Sequence, residues 1–426
     1  MSSIPLSSAC LSDVFSDGDS TPVFPNSKYY NLDSFHNLVK QIENINHQFT
    51  VLNCNARSLV AHKSDYELLL GTLGEVKDFT FDVLSFTETW LDESLENLVK
   101  FQDYVGLFKH KPVTKEGGGI AMFIRQTINF KTRDDIFFRD TDGSQYDSLF
   151  IEVINKHEKN VIIGVIYRSP SHPTVKDFTK SLSEVLDQIQ RENKNIILTG
   201  DFNIDLLQCN SDRNTTAFLD MITSFYLSPK ITLPTRVTKH TATLIDHIHS
   251  NIQAEHSLSG TLKTSITDHY SNFIFIKSSD HKSSQLKSPN HISYRQVTDR
   301  TLKDFNSALD NETWQDVYNS SNPDVAYQNF LTTFNSLVNT HLPFKTVRFN
   351  KFKHKLEPWI TNGLLKSSRT KENYYIAMIK ARHTDNFTVL ERRYKTYLSL
   401  YRTVIKYAKQ HYLKSRFNQT KNDKEK

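Results

Sequence analysis

The feature that most restricts the fold of this chain is a series of short, β-rich apolar runs that each end in a polar residue. Phe49 to Leu52 leads into Asn53, Val83 to Phe86 into Glu88, Val161 to Ile166 into Tyr167, and Ile196 to Leu198 into Asp201 and Asn203. Short apolar runs bounded by polar residues read as strands, and a polar residue has no reason to extend a buried strand unless it is needed where the strand stops. Between the runs, Lys63 to Val76 and Val175 to Glu192 carry apolar residues at helical spacing, with Phe178, Leu182, Val185, Leu186 and Ile189 on one stripe of the second. Such stripes are the buried faces of surface-packed helices. Strands alternating with helices predict an α/β fold in which each strand delivers a polar group at its end.

Further along, Ala242 to His249 and Phe273 to Ile276 read as two more strands, the second preceded by Thr267, Asp268 and His269. Gly117, Gly118 and Gly119 precede the strand-like Ile120 to Ile124. No Lys-Ser/Thr follows them and no helix opens there, so they read as a tight turn rather than a phosphate-cradling loop. The β-rich pattern stops near Lys277, and the Ser, Lys, His and Pro that follow have linker composition.

With 426 residues the chain exceeds the size at which one core usually stops growing. The expected division is a polar, disordered segment over 1–44, an α/β domain over 45–280, a linker over 281–295 and a helical basic region over 296–426. No run of eighteen apolar residues is present, which excludes a membrane partner, and the first 48 residues lack the basic start and apolar stretch of a secretory signal. The expected location is therefore intracellular. Cys10, Cys54 and Cys209 are too few and scattered for a disulfide framework.

The net charge of +5 conceals an asymmetry, because residues 351–426 hold 19 Lys/Arg against 6 Asp/Glu while residues 1–350 hold 33 against 41. A concentrated basic segment favours a polyanion, DNA or RNA. Within it Leu390, Tyr394, Tyr397, Tyr401, Val404, Ile405, Ala408 and Tyr412 form one helical stripe. Tyrosines on such a stripe are more often packed core than stacking platforms for bases.

Taken singly, Glu88 could cap a turn, Asp201 bond its own backbone and His269 be a satisfied core histidine. Together the strand ends supply carboxylates, amides, a tyrosine and a histidine, which is the inventory that phosphodiester hydrolysis around a hard cation needs.

These residues sit in stretches that resemble, in order, those of the endonuclease/exonuclease/phosphatase superfamily, and within it the endonuclease domain of LINE-type non-LTR retrotransposons. The stretches are Leu-Asn-Cys-Asn-Ala-Arg-Ser-Leu at 52–59, Thr-Glu-Thr-Trp-Leu at 87–91, Gly-Gly-Gly-Ile-Ala at 117–121, Ile-Tyr-Arg-Ser-Pro at 166–170, Gly-Asp-Phe-Asn at 200–203, Ile-Asp-His-Ile at 245–248 and Thr-Asp-His at 267–269.

The resemblance implies a four-layered α/β sandwich, two packed β-sheets flanked by helices, with the site at one end of the sheets and a helical, basic C-terminal region following. It implies that Glu88, Asn53 and Asp268 hold Mg²⁺ or Mn²⁺, that Asp201 activates water, and that Asn203 holds the phosphate. His269, oriented by Asp246, would stabilise developing charge, with Tyr167 beside the phosphate and Arg168, Thr235, Asn55 and Arg57 contacting DNA.

The activity implied is metal-dependent DNA nicking at a retroelement target site. Residues 285–420 resemble the segment that precedes a reverse transcriptase, and no polymerase motif follows, so the chain reads as a truncated or partial retroelement protein. The alternatives are a non-catalytic nucleic-acid-binding adaptor, or a superfamily member acting on abasic DNA or on inositol or lipid phosphodiesters.

Overall fold

The computed structural model describes residues 27–110, 117–138, 146–170, 174–278, 291–295, 297–348 and 358–422. Two sheets dominate it. The first has seven strands in the order β1 (Lys28–Tyr30), β14 (Ser257–Leu262), β15 (Ser271–Lys277), β2 (Gln48–Asn55), β3 (Val83–Thr87), β5 (Ile120–Arg125), β4 (Tyr104–Lys109). The second has six, in the order β10 (Ser228–Pro229), β13 (Asp246–Ser250), β9 (Asn195–Asp201), β8 (Val161–Arg168), β7 (Tyr146–Val153), β6 (Phe130–Thr132). A small ribbon of β11 (Arg236–Val237) and β12 (Ala242–Thr243) stands apart from both.

Alternation along each strand decides which side chains meet between the sheets. Phe49 and Val51 of β2 share one core cluster with Val165 of β8 and Ile197 of β9, whereas Leu52 and Cys54 belong to the cluster beneath the helices on the opposite face. Those helices are α1 (Leu32–Gln41) and α2 (Leu59–Leu73); α3 (Val175–Gln190) and α4 (Arg213–Ser224) cover the second sheet. The stripe Phe178, Leu182, Val185, Leu186 and Ile189 is the buried face of α3, as its spacing predicts. Helix, sheet, sheet, helix is the expected four-layered sandwich.

Two expectations need correction. The second half of the polar segment 1–44 is folded: β1 pairs in parallel with β14, and α1, capped by Asn31 and Ser34, buries Phe35 and Val39 against Phe79, Phe81, Phe273 and Phe275. Its first 26 residues lie outside the described ones. The Ala242–His249 run is two strands, because the chain leaves the ribbon at Thr243 and enters the second sheet at Asp246.

The C-terminal part divides differently from a single helical region. One compact unit comprises residues up to Ser283 together with those from Glu357 onward; Ser284–Leu356 form a second. In the second unit, α5 (Asp299–Asp310), α6 (Gln315–Tyr318) and α7 (Pro323–His341) pack through Phe305, Trp314, Phe330 and Phe334. There β16 (His291–Arg295), expected as the end of a linker, pairs with β17 (Phe344–Arg348).

In the first unit, α8 (Asn362–Lys380) and the long α9 (Phe387–Asn422) lie against the sandwich. Tyr401 of the tyrosine stripe is buried with Leu68 of α2, Trp359 and Leu364, and Tyr394 joins Tyr270, Tyr375 and Phe387. The stripe is therefore packed core, with Val404 at its exposed margin.

Candidate active site

The polar strand ends converge where the two sheets open. From the first sheet come Asn55 at the end of β2, Glu88 just past β3, and Thr267 to His269 just before β15. From the second come Tyr167 and Arg168 closing β8, Asp201 closing β9 with Asn203 beyond it, and Asp246 opening β13. Parallel β8 and β9 place Tyr167 beside Asp201, and antiparallel β9 and β13 place Asp201 beside Asp246.

The local backbone is specialised to present these groups. Arg57, Ser58, Glu88 and Asn203 all have positive φ, between 39° and 84°, a region sparsely used by residues with a side chain. Gly200, one residue before Asp201, has a φ of 143°, and a Cβ there would lie 1.8 Å from the Ile166 carbonyl oxygen. Only glycine lets β9 pass β8 and carry Asp201 to the rim. Gly117, Gly118 and Gly119 all have positive φ and form the expected turn, whose carbonyls accept hydrogen bonds from the backbone of Thr89 and Trp90 next to Glu88.

His269 and Asp246 form the centre. The ring Nδ1 lies 2.9 Å from one Asp246 oxygen and 3.1 Å from the other, with both residues buried. Burial opposes protonation of His269, but Asp246, Asp201 and Asp268 outweigh it and lift the imidazole to about 9. Asp201 is pushed up to about 8, by burial first and then by Asp246 and Glu88, with His269 acting against them. Its carboxylate accepts hydrogen bonds from Asn55 Nδ2 at 2.8 Å and from the Asn203 backbone N–H at 3.0 Å. The same Asn55 Nδ2 donates to Glu88 Oε1 at 2.9 Å, so one amide ties the carboxylates of the two sheets together. Tyr167 is buried nearby, and burial together with Glu88 and Asp201 raises its phenol.

Asp201, Asp246, His269, Asn203 and Tyr167 thus lie together as expected, as does Glu88. Four other site residues lie elsewhere than at an open metal or DNA surface, or beside a different partner. Asn53, expected as a metal ligand, is fully buried below the site, where its Oδ1 accepts from Ser85 Oγ, which also bonds Thr199 of the facing sheet. It lies on the same face of β2 as Asn55, but two residues deeper, roughly 6–7 Å. Asn55, expected at the DNA surface, takes the place beside Glu88.

Thr235, also expected on DNA, is wholly buried, and its hydroxyl donates to Asp246 Oδ2 at 2.7 Å while accepting from the backbone of Ile245 and Asp246. It orients the residue that orients the histidine. Arg168 is buried as well, and its guanidinium donates to the carbonyls of Phe202 (2.7 Å), Ser169 (3.2 Å) and Asn203 (2.6 Å). Asn203 Nδ2 returns a bond to the Arg168 carbonyl at 2.8 Å, so the arginine props the Asn203 turn. Asp268 faces Arg57 at 2.6 Å and Arg236 at 2.8 Å, which hold its carboxyl below the usual range although burial opposes them. Arg57 itself is at the rim, with 45% of its side chain exposed.

The donor set suits a hard cation: carboxylate oxygens predominate, and Asp201, Asp246 and His269 present ligand atoms within 4.8 Å of one another. Asp246 and Glu88 crowd negative charge onto the buried Asp201. An added cation would relieve that crowding.

Residues 30–281 match the Endonuclease/Exonuclease/phosphatase family.

The chain belongs to that family.

It is a family of phosphodiester hydrolases that are generally dependent on a divalent metal. No curated protein matches the chain. Among solved structures, the endonuclease domain of TRAS1, a telomere-specific non-LTR retrotransposon, is 11% identical, covers 54% of this chain and 99% of its own, and has a TM-score of 0.42. The APE2 catalytic domain of Xenopus laevis is 16% identical, with 54% and 91% covered and a TM-score of 0.41. The AP endonuclease LMAP of Leishmania major is 11% identical, with 63% and 98% covered and a TM-score of 0.44. At these values the likenesses bear on neither substrate nor target. Among the described residues of this endonuclease/exonuclease/phosphatase protein, no helix is long and apolar enough to cross a membrane.

Proposed function

We propose that this protein is a divalent-metal-dependent phosphodiesterase that nicks DNA, in the manner of the LINE-type endonucleases its motifs resemble. The observation that carries the reading is the buried His269–Asp246 pair facing Asp201 across the open end of the sandwich. His269, held protonated by Asp246, is placed to donate a hydrogen bond to a phosphate oxygen as charge develops there. Asp201, fixed by Asn55 and the Asn203 backbone, is the acceptor for the proton of the attacking water. Asn203, anchored by one amide N–H to Arg168, keeps its second N–H for the scissile phosphate. Tyr167 flanks the same position.

Glu88 would hold Mg²⁺ or Mn²⁺, with its carboxylate fixed by the Asn55 amide N–H; Asn53, buried under Ser85, would not. When bound, the ion supplies Lewis-acid stabilisation of phosphoryl charge. The Asp201, Asp246 and His269 group is better read as a proton-handling set, because His269 Nδ1 is committed to Asp246 and Asp201 to two donors.

The test is conversion of supercoiled plasmid to open circle by the full chain, in Mg²⁺ or in EDTA, beside Glu88→Ala and His269→Ala. Mg²⁺-dependent nicking that both variants lose is the expected result. No nicking by the folded wild-type chain would overturn the reading and favour a binding protein or a non-DNA phosphodiester.

A further inference from the structure

Four cations gather beside the site, two inside the family match, Lys239 and Lys263, and two beyond it, Lys380 and Arg382. Lys263 follows β14, whose last residue, Leu262, pairs with Ser271 two positions after His269, so Lys263 is at the active-site end of the first sheet. Its Nζ lies 4.0 Å from the centre of the Tyr29 ring, and Tyr29 packs edge-on against Tyr270 at 6.0 Å. Lys380 closes α8 and Arg382 lies in the turn before α9, a region fixed here because Tyr375 and Met378 of α8 and Phe387 of α9 share a buried cluster with Tyr270 and Val237. Lys239, in the β11–β12 ribbon, lies over the Phe387 ring at 5.1 Å. Arg236 and Arg57, on Asp268, continue the positive margin to the site itself.

Like charges at close quarters oppose folding unless something of the opposite sign compensates them. Among the described residues, Lys239, Lys263, Lys380 and Arg382 form no salt bridge. Asp385 is the one carboxylate of the α8–α9 turn. Lys239 and Lys380 are exposed and Lys263 and Arg382 half-buried, and the ammonium groups of Lys239 and Lys263 are held over the Phe387 and Tyr29 rings. Fixed, closely spaced cations suit a ligand with regularly spaced charge, and duplex DNA carries one phosphate for about every 1.7 Å of axis.

We infer that Lys239, Lys263, Lys380 and Arg382 form a ledge that seats the phosphate backbone of duplex DNA to one side of the nicking site, with the C-terminal helices completing the interface. This rests on the DNA-nicking reading and names the surface that holds the substrate. The ledge supplies register and affinity rather than base recognition, since phosphate contacts position a duplex without reading it.

The experiment measures binding of the full chain to a fluorescein-labelled DNA duplex by anisotropy in EDTA, across a series of salt concentrations. The wild type is compared with the triple variant Lys239→Ala, Lys380→Ala, Arg382→Ala and with a charge-matched control, Lys176→Ala, Lys180→Ala, Arg191→Ala on α3. At about 0.9 per phosphate contact, the ledge variant should flatten the slope of log K against log salt by two to three and weaken binding at least about tenfold, with the control unchanged.

Equal slopes for wild type, ledge variant and control would overturn the ledge. Should the triple variant unfold, the single variant Lys380→Ala, at an exposed helix end, must still lower the slope by about 0.9. Wild-type chain that binds with the full slope but does not nick in Mg²⁺ keeps the ledge and overturns catalysis; wild-type chain that nicks while the ledge variant binds unchanged does the reverse.

Discussion

Glu372 of α8 accepts hydrogen bonds from both the backbone N–H (2.8 Å) and the hydroxyl (3.0 Å) of Ser265, four residues before His269. One turn further along α8, Tyr375 packs against Tyr270, the residue after His269. A helix outside the family match therefore grips both ends of the loop that carries Asp268 and His269. Within the loop, Thr267 Oγ1 donates to the Asn55 carbonyl and accepts from the His269 backbone, linking the same grip to the carboxylate-bridging amide. Lys371, buried beside Glu372 and Asp65, has its ammonium form favoured by them despite the cost of burial.

Glu372→Ala leaves Lys371 buried with Asp65 alone and frees Ser265. Breaking a buried pair from one side costs about 3–5 kcal/mol, and denaturant unfolding should show a loss of that order. Glu372→Gln, which keeps the hydrogen-bonding shape, should recover most of the nicking rate but not all of the stability. Equal unfolding midpoints for wild type and Glu372→Ala would show that the contact contributes nothing.

The raised His269 and Asp201 make the metal-free protein less stable as pH rises. His269 has a folded value of about 9 against 6.5 for the free side chain, so its contribution is complete below 6.5 and is lost as pH climbs to 9. Asp201 is lifted from 3.8 to about 8, so the folded state holds a proton that the unfolded state has released, and stability falls from pH 4 to 8. In EDTA, Tm should therefore drop between pH 6 and 9, the unfolding free energy falling by up to about 3 kcal/mol for His269 at 1.36 kcal/mol per pH unit. His269→Gln should flatten the decline above pH 6.5, and Mg²⁺ should flatten the part due to Asp201. A Tm that rises over this range would contradict both shifts.

The layers and most of the site were legible because both depend on local pattern. Alternation fixes which face of β2 or β9 is buried, helical spacing fixes the face of α3, and a carboxylate closing an apolar strand is conspicuous. What pattern does not fix is depth. Asn53 and Asn55 share a face, and only the pairing of β2 with β3, which brings Asn55 level with Thr87, shows that the second asparagine reaches Glu88. The direction of Thr235 and Arg168 is hidden for a related reason: a hydroxyl or guanidinium turned inward onto Asp246 or backbone carbonyls has the same sequence as one turned outward to DNA. The docking of α8 on the Ser265 loop joins residues 107 positions apart, and nothing local encodes it.

Depth can be tested directly. Asn55→Ala removes the bond between the carboxylates of the two sheets and should lower nicking by about 10² or more, the usual scale for a group acting on transition-state charge. The Mg²⁺ concentration for half-maximal rate should rise with it. Asn53→Ala should move stability and leave the rate within a few fold, because its Oδ1 meets only Ser85. If the two effects were exchanged, the metal-ligand role would return to Asn53.

Thr235→Val isolates the support of Asp246. The replacement is nearly isosteric and removes only the hydroxyl that donates to Asp246 Oδ2 and accepts from the Asp246 backbone. A buried acceptor left short of a partner costs about 1–3 kcal/mol. The alkaline limb of the nicking rate should also shift, since Asp246 sets the His269 proton affinity. A variant that lost DNA affinity with an unchanged pH profile would instead place Thr235 at the substrate.

Ending the chain at Ser283 keeps the whole family match and every catalytic side chain, so motif content alone predicts an active fragment. The packing predicts otherwise. Removal of α8 and α9 strips Tyr375, Met378 and Phe387 from Tyr270, and Trp359, Leu364 and Tyr401 from Leu68. Each large apolar side chain so exposed forfeits about 1.5–3 kcal/mol. Asp65 and Ser265 lose Lys371 and Glu372 in the same cut. The fragment should unfold at a clearly lower denaturant concentration than the full chain and bind 8-anilinonaphthalene-1-sulfonate on the bared Tyr270 and Leu68 surface. Its nicking per folded molecule should fall at least about tenfold, because the His269 loop has lost both grips. A fragment with the midpoint and rate of the full chain would make the C-terminal helices passengers on a complete enzyme.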